Sequence, residues 1–243
     1  MWIVGLSLVV LAVLIVAERL WAADRSPTHR GLNAVAGTLG VAVSVWLQPV
    51  ISGVAVLAIN RLGGGLIDLG AWPWPLAFVA YLLAMDLGEY LFHRAQHVVP
   101  WMWRMHSLHH SDPNVNATTA VRHFWAEPLL KGLTIWLAVG VLFKVTPSVA
   151  VAYALVTLYN FFTHANLPVS FGRWSWVWNA PAYHRLHHSS NPAHYDANFA
   201  AMLPIFDVLL GSYRRPERGV STGLDRMPTT LGEVLTWPVR NQG

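Results

Sequence analysis

Cysteine is absent from the 243 residues. The chain can therefore form no disulfide, iron–sulfur cluster or thiolate zinc site, and any metal it holds must take nitrogen or oxygen ligands. Charge is scarce as well, with 12% charged residues against 54% hydrophobic, a composition far from that of soluble domains. Lysine is nearly missing: Lys131 and Lys144 stand against fourteen arginines. Those arginines are scattered between apolar stretches and form no basic stripe, so the net charge of +4 does not point to nucleic acid. No G-x-G-x-x-G run follows a strand pattern, and Gly63-Gly64-Gly65 lacks a flanking strand, which makes it a loop rather than a phosphate cradle. Internal repeats and low-complexity segments are lacking too.

What the chain does have is long apolar runs. Met1 to Ala17 and Gly31 to Asn60 carry no charge, and a membrane helix needs about 20 residues. A cleaved leader is disfavoured for the first run, because no basic segment precedes it. Spans are expected at about residues 2–17, 32–58 (kinked at Pro49), 75–92, 129–143 and 147–163, the last two forming a hairpin around Lys144 and Pro147. With the N-terminus outside, fourteen of the sixteen basic residues fall on the cytoplasmic side, as the positive-inside rule asks. Trp72, Trp74, Trp101, Trp103, Trp174, Trp176 and Trp178 sit beside the span ends, where amphipathic rings anchor at the interface.

Twelve histidines are many, but their placement says more. His93-x-x-x-His97, His106-x-x-His109-His110 and His184-x-x-His187-His188 repeat at separations of three and four, which return to nearly one helical face. Each cluster can aim its imidazoles at one point. Eight imidazoles exceed the four to six positions of a single transition metal, so two metals are expected. His164, at the cytoplasmic end of the fifth span, is read as a further ligand because that end must pack against the clusters. His29 reads as an ordinary interfacial residue, and His123 and His194 as supporting or surface residues. Asp86, Tyr90, His93 and His97 share one face of the third span. Asp86 and Glu89 need partners to justify carboxylates there, and Asp86 is expected to accept the second N–H of a metal-bound imidazole.

Imidazole suits iron, copper, nickel and zinc alike. Zinc has no redox chemistry, so a two-zinc hydrolase and an oxidative enzyme remain distinct alternatives, although two-metal hydrolases usually bridge their ions with carboxylates that these clusters lack. A membrane metal transporter is the non-enzymatic alternative, but it would need ligands spread through the membrane depth rather than gathered at one edge.

The ordered set of motifs resembles the fatty acid hydroxylase and sterol desaturase superfamily of integral membrane di-iron proteins. It runs through Asp86-x-x-x-Tyr90-x-x-His93-Arg94-x-x-His97, His106-x-x-His109-His110-Ser111, Asn116-x-Thr118-Thr119-x-x-Arg122 and His164-Ala165-Asn166. It continues with Asn179-x-Pro181-x-x-His184-Arg185-x-His187-His188, Asp196-x-Asn198-Phe199 and Asp207-x-x-x-Gly211-Ser212-Tyr213. The chain departs from the pattern after Arg122, where His123-Phe124-Trp125-Ala126-Glu127 stands in place of a His-Pro pair. The resemblance covers about residues 82–213. It implies an all-α, polytopic membrane bundle with a cytoplasmic, histidine-rich di-metal cap. That makes one membrane domain over residues 1–243, with extra N-terminal helices in 1–60 and a tail at 214–243.

Carried over, the resemblance implies metal binding by His93, His97, His106, His109, His110, His164, His184, His187 and His188, with Asp86, Tyr90, His194, Asp196 and Asn198 supporting them and no catalytic residue beyond the ligands. It implies two iron ions, with zinc a possible occupant in the isolated protein, and dioxygen-dependent hydroxylation or desaturation of a lipid, sterol or carotenoid-like substrate. With no nicotinamide, flavin or cluster motif of its own, the chain would draw electrons from a separate reductase, ferredoxin or b-type cytochrome. Arg173, Arg185, Arg214, Arg215 and Arg218 are candidates to steer such an acidic partner. A bacterial inner membrane with the site facing the cytoplasm is the expected location.

Overall fold

The computed structural model describes residues 2–61, 63–144 and 147–240. Residues 145 and 146, in the expected hairpin turn, and 241–243, at the end of the expected tail, lie outside the described residues. Within them the chain is all-helical, with no strand and two isolated bridges, Ile67 to Phe143 and Ser189 to Thr222. The long helices are α1 (Trp2–Trp21), α2 (Arg30–Arg61), α3 (Trp74–Val98) and α7 (Pro147–His164). Between them lie α4 (Pro100–His110), α5 (Glu127–Lys131), a π-helical turn (Gly132–Trp136) and α6 (Leu137–Leu142). Four short helices follow: α8 (Pro181–His187), α9 (Ile205–Leu210), α10 (Leu231–Leu235) and α11 (Trp237–Arg240). These bounds enclose or closely track each expected span, and α2 continues through Pro49.

Proline sets the breaks that shape the site. Pro100 disfavours helical geometry at Val99, which is extended at φ −95° and ψ 115°, so α3 stops there. The same proline then sits at the start of α4, where its missing N–H costs nothing. Pro181 opens α8 in the same way. Asn116 and Thr119 form a reciprocal capping box on a 3₁₀ turn, Ala117–Val121. Helix α3 packs most extensively on α7, α8 also lies on α7, and α11 lies on α4. The C-terminal ends of α3, α4 and α7 are thereby brought to one place, with α8 against them.

Many apolar side chains face outward, and polar side chains share the interior with an apolar core. Leu8, Val9, Val13, Val16 and Leu20 of α1 and Leu76, Val79, Leu83 and Leu91 of α3 are exposed. Asn33, Asp86, Asp112, Asn114, Asn116, Arg122 and Asp207 are each wholly buried. Among the described residues, α3 is the one helix long and apolar enough to cross a membrane.

The two span carboxylates find partners other than those expected. Asp86 accepts backbone N–H groups from Met202 and Leu203, both at 2.8 Å, and is not bonded to an imidazole. Glu89 pairs with Lys131 of α5 at 2.5 Å. Helical spacing correctly puts Asp86 on the face that carries His93, but the chain segment after Asn198 fills the space beside that carboxylate.

Arg122 is the keystone of the polar interior. Its guanidinium donates to Leu108 O at 2.9 Å, Asn33 Oδ1 at 3.0 Å and Ser111 Oγ at 2.7 Å. Asp112 beside it accepts from Asn33 and Thr119. Removing one partner of such a buried charged network typically costs about 3 to 5 kcal/mol. Arg122→Met should therefore lower the thermal midpoint of the purified protein by several degrees, measured by circular dichroism in detergent. A midpoint equal to that of the parent would show that the network contributes nothing.

Candidate metal centre

All nine histidines expected as ligands come together, and they do so as two groups. His93, His97, His106, His110 and His187 form one, and His109, His164, His184 and His188 the other; within each group one ring nitrogen per residue lies within 4.8 Å of every other. The local reason is helical. His93 and His97 are one turn apart near the end of α3. Along α4, His106 and His110 point one way while His109 points the other, so a single cluster serves both groups. Helix α8 divides in the same manner, His187 going to the first group and His184 and His188 to the second. His164 arrives at the last residue of α7.

The hydrogen bonds fix which nitrogen faces inward. His93 Nδ1 donates to Phe199 O and His187 Nδ1 to Ala197 O, each at 2.8 Å. His106 Nδ1 donates to Glu127 Oε2 at 3.1 Å, and His164 Nδ1 to Asn160 O at 2.7 Å. Four neutral rings are thus left with a bare Nε2 lone pair aimed at a centre, the tautomer in which imidazole binds metal. In the second group His164 Nε2 lies 3.0 Å from His109 Nε2 and 2.9 Å from His184 Nε2, and His184 Nε2 lies 3.2 Å from His188 Nε2. In the first, His187 and His110 bring their Nε2 atoms to 3.2 Å. One lone pair cannot satisfy several others. The buried Nε2 atoms of His93, His97 and His106 have no hydrogen-bond partner. Buried polar atoms are seldom left so, and a cation among them removes the conflict. Both groups could hold a metal ion.

Glu127 and His123 are the residues that sequence reasoning left undecided. Glu127 Oε2 accepts from Gln96 at 2.6 Å, from His106 and, at 3.3 Å, from His123, while Oε1 accepts Phe124 N–H at 3.0 Å. The imidazole of His123 stacks on that of His109, with centroids 4.5 Å apart and planes 11° apart. His106, His123 and Glu127 are close enough to hold a metal themselves, but the carboxylate already accepts four hydrogen bonds and serves as a support for His106. The i, i+4 spacing of His123 and Glu127 was the available signal.

The other expected supports are dispersed. Asp196 lies 3.9 Å from His97 Nδ1, and Tyr90 bonds Ser212 and Arg94. His194 turns to Ser189 and Glu217. Asn198 ties to the backbone at Arg214, accepting its N–H at 2.7 Å. Among the arginines, Arg185 is engaged by Asp24 at 2.6 Å and by the Val115 and Val220 carbonyls, so it is not available to a partner; Arg173, Arg214, Arg215 and Arg218 are exposed.

Burial pushes the imidazoles of His106, His109, His110, His184 and His188 below the usual histidine range, and that of His187 down to about 3. The unfolded chain takes up protons near 6.5, whereas the fold keeps these rings neutral, so their shifts cost nothing above that pH and oppose the native state below it. Metal-free protein should accordingly lose stability steeply as pH falls below about 6.5. A flat melting temperature from pH 7 to pH 5 would contradict this.

Comparison with known proteins agrees with the site. The fatty acid hydroxylase family profile matches residues 78–212, more than half the chain and all nine histidines. Over 154 residues the chain is 36% identical to an alkylglycerol monooxygenase of Xenopus tropicalis, a stretch covering 63% of this chain and 33% of that protein. Over 165 residues it is 35% identical to the alkylglycerol monooxygenase of Homo sapiens, covering 67% and 35%. It therefore spans about a third of the length of these monooxygenases. Ornithine lipid hydroxylase OlsE of Rhizobium tropici is 27% identical over 233 residues, which is 92% of this chain and 70% of that one. No solved structure matches. With the profile matched over that length and every histidine of the motif gathered in space, the chain belongs to the fatty acid hydroxylase family.

Proposed function

We propose that the chain is a membrane-bound, di-iron, dioxygen-dependent hydroxylase of a lipid. The observation that carries this is the division of nine histidines, seven of them buried, into two groups whose ring nitrogens crowd together. The relatives are an alkylglycerol monooxygenase and an ornithine lipid hydroxylase, which favours hydroxylation over desaturation. The reaction inserts one atom of dioxygen into a C–H bond and reduces the other to water, consuming two protons and two electrons. Bound iron would supply the redox chemistry that acid–base groups cannot.

The remaining work falls to the chain itself. The five- and four-histidine groups would hold one ion each, Glu127 and the carbonyls of Ala197, Phe199 and Asn160 keep four rings in the ligating tautomer, and burial excludes water. The outward apolar faces of α1 and α3 support a polytopic membrane bundle forming a single domain, and the excess of basic residues supports a cytoplasmic site in a bacterial inner membrane. Electrons would come from a separate acidic donor approaching Arg173, Arg214, Arg215 or Arg218.

The test is to reconstitute the purified protein in lipid with iron, a redox chain and oxygen, and to look by mass spectrometry for lipid heavier by one oxygen. His109→Ala and His187→Ala, one from each group, should each bring iron from two per chain to one and abolish product. Active protein with one metal, or with zinc alone, would reject the proposal. For topology, the exposed Ser221 changed to Cys should resist a membrane-impermeant thiol reagent in intact cells and react once they are opened; labelling of intact cells would place the site on the other side.

A further inference from the structure

The two histidine groups are supported differently. In the four-histidine group His164 leans on its own helix, and the buried Nδ1 atoms of His109, His184 and His188 have no hydrogen-bond partner. In the five-histidine group, two rings from different helices lean on one short segment: His187 on Ala197 O and His93 on Phe199 O. His97 meets Asp196 just upstream. That segment belongs to no helix and owes its shape to side chains around it.

Its backbone is unusual. Asp196 and Asn198 have positive φ, 55° and 63°, left-handed conformations that Asp and Asn tolerate better than other non-glycine residues. With Ala197 between them, they turn the neighbouring carbonyls toward the histidines. Two wholly buried carboxylates then grip the strand of chain that follows. Asp207 Oδ1 accepts Phe199 N–H and Oδ2 accepts Ala200 N–H, both at 2.8 Å, while Tyr183 donates to Oδ2 at 2.6 Å and Ser212 to Oδ1 at 2.7 Å. Asp86, reaching across from α3, takes Met202 N–H and Leu203 N–H. Four successive donors, interrupted only at Ala201, are thus held by two acids from distant parts of the chain.

Resting on the two-metal proposal above, we propose that Asp86 and Asp207 are positioning residues chiefly for the five-histidine group, acting by clamping residues 199–203 so that the Ala197 and Phe199 carbonyls orient His187 and His93. Neither carboxylate touches an imidazole. No imidazole of the four-histidine group is hydrogen-bonded to this segment, which reaches α8 through Asn179 and the Tyr183 carbonyl rather than through a ring, so loosening the clamp should affect the metal of the five-histidine group more than the other.

The test uses the full chain in lipid, loaded with iron or with cobalt(II), whose visible absorption reports ligand geometry. Release to an excess of chelator should show two phases in the parent, assigned by His187→Ala and His109→Ala, which each remove one. Asp86→Asn and Asp207→Asn should speed the phase of the five-histidine group about 10- to 100-fold, the usual range for loss of an outer support, with a smaller change in the other phase, and alter the cobalt spectrum of the five-histidine site most. Asp86→Glu, which keeps two acceptor oxygens, should restore part of the loss. If the Asn variants do not fold, Tyr183→Phe, which removes one of the four bonds to Asp207, should show the same selectivity to a smaller degree. Equal acceleration of both phases, or of neither, with parent protein that holds two metals would overturn the clamp alone. Parent protein that takes up no metal would overturn the two-metal proposal and the clamp with it.

Discussion

An imidazole removed from water has two nitrogens to satisfy, one donor and one acceptor when neutral. Nine such rings packed together face that requirement nine times within a few ångströms. The chain meets it from behind and from in front by different means. Behind, four rings find carbonyl or carboxylate oxygens that are themselves fixed, by Glu127, by α7's own backbone and by the segment after Asp196. In front there is no protein acceptor or donor to spare, and lone pair faces lone pair. The rest of the architecture follows from that arrangement: short helices that end at the histidines, prolines that reset the chain direction between clusters, and buried polar residues around them.

Such an interior is costly to desolvate, and around Arg122 it is stabilised by a connected set of hydrogen bonds. Asn33, Asp112, Thr118, Thr119 and Arg122 bond to one another across α2, the loop after α4 and the 3₁₀ turn. A partly satisfied network of this kind would be worse than an apolar one. Apolar side chains are left to the outside, where lipid rather than water would be their natural neighbour.

Much of this was legible in the residue order. Spacing of three and four identified eight of the nine histidines that converge, because helical geometry is local and the clusters lie on or at the ends of helices; His164 was read from its place at the end of a span. Helix positions followed from apolar runs and prolines. How the nine rings divide was not legible, since it depends on the angle at which α4 and α8 cross the others. Asp86 was placed on the correct face with the wrong partner: its hydrogen bonds go to backbone 116 and 117 residues away, and backbone donors leave no mark in a sequence. The role of Glu127 was left undecided for a similar reason, its importance arising from Gln96 and His106 meeting it in space. Arg185, read as a surface charge, is drawn inward by Asp24 of the segment after α1.

That last contact belongs to a wider connection between the N-terminal region and the part matched by the family profile. Glu18, 2% exposed, accepts Ala117 N–H at 2.7 Å and Asn166 N–H at 2.8 Å with one oxygen, and Arg30 with the other. It closes two loops of the histidine-bearing core from sixty residues before the profile begins. The boundary drawn by sequence similarity is thus not a seam in the molecule. A relative that carried unrelated helices in front of the same histidine core would need to bring its own acid to that spot, or to rebuild both loops so that their amides turn elsewhere. Recombination of such cores with new leading segments is constrained less by how many helices precede them than by whether one of those helices delivers a single buried carboxylate at its inner end.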